Sequence, residues 1–142
     1  MIDTSATPLL NMIDPAMIDK KMLPIFEKMV LAVEGDHSAE QLMAAVKAGT
    51  GSLILKGNPL HGPKCYMLFG KETFLTRSVL VISGAVGDMN LAEDHPKMWP
   101  ELAAAAKANG CSAVRLVGRR GFGRILRKVG WEEQHTVFER KL

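Results

Sequence analysis

Apolar positions fall at spacings of three and four in the first third of the chain. Met17, Ile18, Met22, Ile25, Phe26, Met29, Val30 and Val33 place one apolar stripe along a helix. Asp14-Pro15 opens it, with Asp as N-cap and Pro at the first helical position, and Pro24 predicts a kink or a split. Gly35-Asp36 ends it. Ser38 followed by Gln41 predicts a capping box on a second helix, striped by Leu42, Met43 and Val46 and closed by Gly49. Pro8 to Ile13, ahead of both helices, reads as a short strand.

The period then shortens. Ser52–Lys56, Cys65–Gly70 and Phe74–Val86 read as strands, divided by two Gly/Pro clusters between Gly57 and Pro63 and by a turn at Lys71-Glu72. Val79-Leu80-Val81-Ile82 is apolar on both faces, as a central strand is. Gly84 to Lys97 reads as a loop, from which Pro96 and Trp99-Pro100 lead into a helix over Glu101–Asn109, ended by Gly110. Ser112–Val117 is a strand, Gly121–Val129 a short basic helix stopped by Gly130, and Trp131–Leu142 a closing strand. The order is strand, two helices, three strands, helix, strand, helix, strand: an α/β chain with a mixed sheet, expected to form one domain over residues 1–142.

Composition agrees with a packed domain. Of 142 residues, 47% are apolar, enough for a continuous core without disulfides or metals. No apolar run approaches the ~20 residues that span a bilayer, and the N-terminus lacks the pattern of a secretory signal, so a cytoplasmic or particle-associated protein is expected. Cys65 and Cys111 each adjoin an apolar strand, where a reduced, buried thiol is expected. Neither they nor His37, His61, His95 and His135 stand at ligand spacing, so no metal site is expected.

Charge is uneven. From Arg115 onward the chain carries +5, and the part before it −2. A basic end of this kind meets phosphates, nucleic acid or an acidic protein face, although few aromatics interleave for base stacking. Gly118-Arg119-Arg120-Gly121-Phe122-Gly123 could hold an anion on backbone N–H groups and guanidinium forks. A turn followed by a solvated basic helix face is the plainer reading. Met17, Met22 and Met29 offer an adaptable partner-binding face on the first helix, with core packing the plainer reading there too.

In the last third, Asn109-Gly110-Cys111, then Ala113-Val114-Arg115-Leu116, then Arg119 to Gly130-Trp131 resemble the GNAT (Gcn5-related N-acetyltransferase) family, as does the element order. That family similarly has a helix ending in Gly, a strand, and a short helix closing in Gly-Phe. The Gly-Arg-Arg-Gly-aromatic stretch at Gly118–Phe122 is more narrowly similar to small GNAT-like proteins encoded among tailed-phage virion genes. The resemblance implies an acetyl-CoA site built on Gln/Arg-x-x-Gly-x-Gly/Ala between the fourth strand and the third helix. Here Ser83-Gly84-Ala85-Val86-Gly87-Asp88-Met89-Asn90 occupies that place, without Gln/Arg and with Met89 in the last small position. The loop reading also separates it from the helix by Leu91–Lys97.

Carried over residue by residue, the resemblance makes Gly84, Val86, Gly87 and Asp88 candidates for holding CoA, joined by the Arg119 and Arg120 anion candidates. The tyrosine that often protonates the leaving thiolate is replaced by Leu126, and no Asp or Glu falls within Leu75–Ile82 to act as base. Asp88 and His95 remain as catalytic candidates. The expected function is a GNAT-fold protein with a degenerate acetyl-CoA loop, acting as a structural or interaction protein through self-assembly or a protein partner, in a virion if phage-encoded. A divergent N-acetyltransferase is the alternative, and contact of the basic end with nucleic-acid phosphates a further one.

Overall fold

The structure, a computed structural model, describes residues 9–32, 37–57, 65–87, 91–117, 121–134 and 140–142. Among the described residues five strands, β1 (Leu10–Met12), β2 (Ser52–Lys56), β3 (Cys65–Thr73), β4 (Ser78–Gly87) and β5 (Ala113–Leu116), form one sheet in chain order. The pairs from β1 to β4 are antiparallel, and β4–β5 is parallel. The α-helices among the described residues are α1 (Leu23–Ala32), α2 (Ala39–Lys47), α3 (Leu91–Ala108) and α4 (Gly121–Lys128). The mixed α/β sheet expected from the sequence is present.

Side-chain alternation divides the core between the two sheet faces. On one face Ile54, Cys65, Met67, Phe69, Leu80 and Ile82 pack with Met98, Leu102 and Ala106 of α3. On the other, Leu53, Tyr66, Leu68 and Val86 meet Phe26 and Met29 of α1 and Leu42 and Val46 of α2. The Ser38–Gln41 capping box forms in both directions, at 2.8 and 3.1 Å. Gly49 and Gly110 follow α2 and α3 at φ +83° and +72°, the left-handed geometry that ends a helix at glycine.

Several boundaries differ from the expectation. The apolar stripe from Met17 is helical only from Leu23; before it lie two 3-10 turns, Pro15–Met17 and Lys20–Met22, capped by Asp14 and Asp19. Pro24 therefore stands in the first turn of α1, where its missing N–H has no partner to lose. The β3–β4 turn lies at Phe74–Arg77, not at Lys71-Glu72, and closes with a bond from Phe74 N–H to the Arg77 carbonyl at 2.7 Å. Of the closing strand, Trp131–Gln134 and residues 140–142 have no strand assignment, and 135–139 lie outside the described residues.

The largest correction concerns Gly84–Lys97. β4 continues to Gly87 and α3 begins at Leu91, so helix follows strand almost directly. Pro96 and Pro100 do not open the helix but lie within it. Both are exposed and stand four apart, on one solvent-facing line of the helix. The carbonyls four residues before them lose their N–H partners where water can replace them, so the helix passes through.

Candidate functional site

The centre of the site is an irregularity in β4. Its register with β3 steps from Phe69↔Ile82 to Leu68↔Gly84, leaving Ser83 as one extra residue. This is a β-bulge, and it reverses the inward–outward alternation. Leu80 and Ile82 face α3, whereas Val86, also even-numbered, faces α1 and α2. The Ser83 hydroxyl is 3.5 Å from the Leu68 carbonyl.

At the same point the parallel ladder ends. β4 pairs with β5 from Val79↔Ala113 to Ile82↔Leu116, and the Val117 N–H bonds the Ile82 carbonyl at 3.0 Å. Beyond it, 84–87 pair with β3 alone among the described residues. Ala85 and Gly87, on the α3 side, are exposed. Among the described residues the pairing of β4 with β5 thus stops at Val117, and the first turns of α3 follow this end of β4 closely in sequence.

Polar side chains anchor α3. Lys56 of β2 meets Asp94 at 2.7 Å, both side chains largely buried. The Glu101 carboxylate accepts the N–H groups of Leu9 and Leu10, each at 3.0 Å, fastening the start of β1 to α3. His95 accepts a hydrogen bond at Nε2 from Trp131 Nε1–H at 2.8 Å and stacks on Trp99 at 5.9 Å. Burial holds its pKa below the ordinary value.

The structure places three of the candidate residues together on β4. Gly84, Val86 and Gly87 lie in the stretch of β4 that pairs with β3 alone among the described residues; Gly87 has φ +113°, a conformation open to glycine. Asp88, Met89, Arg119 and Arg120 lie outside the described residues. His95 is a buried helical residue, not a solvent-facing loop histidine. Leu126, in the tyrosine position, is half-buried on α4. A cavity of about 330 Å³ lies on the α1–α2 side, lined by Met29, Leu42, Leu68, Val81, Ser83 and Val117 with His37 and Glu72. It reaches the bulge and the end of the parallel ladder.

Sequence reasoning missed three structural roles: Ser83 as the bulge, Glu101 as the β1 anchor and Trp131 as the partner of His95. Ser83-Gly84 inside an apolar strand carried a signal for the first, since glycine in a strand marks bulges. The other two join residues more than thirty positions apart, and local pattern carries no signal for them. Cys65 and Cys111 are buried and not joined in a disulfide, as expected. Among the described residues no group of acidic, histidine or cysteine side chains could hold a metal ion. Nor is any helix among them long and apolar enough to cross a membrane.

Neither a family model nor a curated protein matches this sequence. Solved structures do match its fold. A predicted acetyltransferase from Clostridium acetobutylicum, solved with acetyl-CoA, superposes with a TM-score of 0.62 at 10% identity, covering 93% of this chain and 94% of its own. A Trypanosoma brucei acetyltransferase gives 0.57 at 13%, covering 94% and 98%. Glucosamine-6-phosphate N-acetyltransferase from Arabidopsis thaliana gives 0.56 at 12%, covering 93% and 96%. At such identities the likeness establishes the fold: this chain has the fold of the GNAT acetyltransferases.

Proposed function

We propose that this chain holds the acyl-bearing arm of acetyl-CoA, or of a related acyl-CoA, against β4 beyond Ser83, and that it is not an efficient acetyltransferase. The observation that carries the first half is the end of the β4–β5 ladder at Ile82, next to the bulge, with 84–87 paired on one side only among the described residues. An arm bearing amide groups matches such an edge as an added strand would, through backbone hydrogen bonds. Gly84, Ala85 and Gly87 keep side chains out of its way.

The phosphate end fits less well. A helix N-terminus favours anions, but Glu93 and Asp94 fill the first turn of α3, and Asp88 precedes it. Lys56 offsets Asp94. Arg119 and Arg120 are the candidates to supply the missing positive charge. The fit therefore rests on the arm more than on the diphosphate.

Proton transfer is poorly provided for. Leu126 stands in the tyrosine position, the His95 Nε2 lone pair is engaged by Trp131, and Glu72 lies 3.7 Å from Arg115. On this reading the protein serves as a structural or interaction module. The narrower likeness to GNAT-like proteins of tailed-phage virion genes points to a virion-associated role. A divergent N-acetyltransferase is the second reading, favoured by the directness with which α3 follows β4 and by the cavity beside Ser83. Asp88 would then serve as base. Exposed Arg124, Arg127 and Lys128 leave contact with nucleic-acid phosphates as a further property of α4.

Calorimetric titration with CoA and acetyl-CoA, followed by an acyl-CoA turnover assay over a panel of amines, tests this. Saturable binding without turnover is expected, weakened in an Arg119→Ala/Arg120→Ala variant. No binding by folded protein removes the CoA reading. Turnover that survives dilution and repurification establishes the transferase instead.

A further inference from the structure

His95 is the one buried polar or charged residue among the described residues, and its surroundings are aromatic. Trp99 lies nearly parallel to it, 5.9 Å between centroids at 13°. Trp131 approaches edge-on at 6.1 Å and 71°, and the two indoles meet at 5.7 Å and 68°. An indole nitrogen can only donate a hydrogen bond. The 2.8 Å contact from Trp131 Nε1–H therefore requires an unprotonated His95 Nε2 and places the ring proton on Nδ1.

The contact joins elements distant in sequence. Trp131 is the first residue past Gly130, where α4 and its capping turn end; its own N–H returns to the Leu126 carbonyl at 3.0 Å. Glu133, two residues on, pairs with Arg127 of α4 at 3.1 Å, and both side chains are exposed. Those bonds hold the stretch to α4. The bond to His95 holds it to α3.

We infer that His95 and Trp131 form an acid-released latch, in which protonation of His95 frees Trp131, and the stretch from it to Gln134, from α3. Protonation at Nε2 places one N–H donor against another at hydrogen-bond distance, so the bond is lost and a repulsion replaces it. The new cation is buried, and no carboxylate among the described residues is paired with it. On α3, Asp94 is ion-paired with Lys56 of β2, and Glu93 and Lys97 are exposed. On the latch segment Glu132 is exposed and Glu133 is engaged with Arg127. The adjoining parts of β3 and β4, 65–70 and 79–87, carry no charged residue. The Trp99 face would attract a cation, but only weakly at a centroid separation of 5.9 Å.

The sign follows from linkage. Burial depresses the His95 pKa from its ordinary 6.5, so the docked state binds the proton less readily than the released state. Docking is unaffected above that value. It weakens as pH falls below it, by up to about tenfold per pH unit, until the docked ring itself titrates. The latch uses no acyl-CoA and stands or falls apart from the proposed function.

The two tryptophans of the chain make the test direct. In Trp99→Phe, Trp131 is the sole indole reporter. Its emission is expected to move to longer wavelength as pH is lowered from about 8 to about 5, the range over which histidine titrates, with far-ultraviolet dichroism unchanged. His95→Gln in the same background keeps an acceptor that does not titrate, and should stay flat. In the unsubstituted protein the Trp131 indole N–H resonance should shift over the same pH range, which covers the case of a poorly folded variant. A transition that persists in His95→Gln, one that coincides with loss of dichroism, or no change of either signal down to about pH 5 overturns the latch.

Discussion

Strand β4 has two halves in contrasting surroundings. From Val79 to Ile82 it pairs with β3 and β5 and buries side chains on both faces. From Gly84 to Gly87 it pairs with β3 alone among the described residues, and Ala85 and Gly87 are exposed. Both runs are uncharged, but Val79–Ile82 carries branched apolar side chains where 84–87 is mostly glycine and alanine. One extra residue, Ser83, reverses the facing of everything after it and coincides with the end of the ladder to β5. A single inserted residue thus divides one strand into a core element and a more exposed stretch, the one proposed above to hold acyl-CoA.

Ile82→Ala tests the packed half and carries the largest expected effect. Ile82 is 3% exposed within the α3-facing cluster, so truncation should cost about 2–5 kcal/mol in urea denaturation. Glu101→Ala comes next. It leaves two backbone N–H groups at the start of β1 without their acceptor, for about 1–3 kcal/mol, with faster hydrogen exchange at Leu9 and Leu10. Val86→Ala probes the open half, where the side chain is half-buried, and should cost under about 1 kcal/mol. A loss there equal to that of Ile82→Ala would erase the contrast between the halves. Arg127→Ala removes an exposed ion pair and should leave stability within about 0.5 kcal/mol.

The part of the fold readable in sequence was the part governed by local pattern. Ser38–Gln41 announced its capping box, Gly49 and Gly110 their helix ends, and Val79–Ile82 a strand buried on both faces. Where two local rules competed, tertiary structure decided. Asp14-Pro15 did open a turn, but a second cap at Asp19 divided the stripe before α1. Pro96 and Pro100 carried the signal of a helix start, yet both stand on the wet side of an existing helix, where their missing donors matter least. That reversal bears on function, because it brings α3 up to the glycine-bearing end of β4. The candidate site was legible in part: Gly84 and Gly87 fall in the stretch of β4 proposed to hold acyl-CoA, whereas the engagement of His95 by Trp131 depends on a contact spanning thirty-six positions.

The contrast between the halves of β4 also locates the decisive measurement. The amide resonances of the isotopically labelled protein should be followed during addition of acetyl-CoA. The account predicts saturable shifts at Ala85, Val86 and Gly87, with Val79–Ile82 unmoved. Shifts confined to α4 and the basic end, or none at all in a folded sample, would contradict an acyl-CoA site on β4.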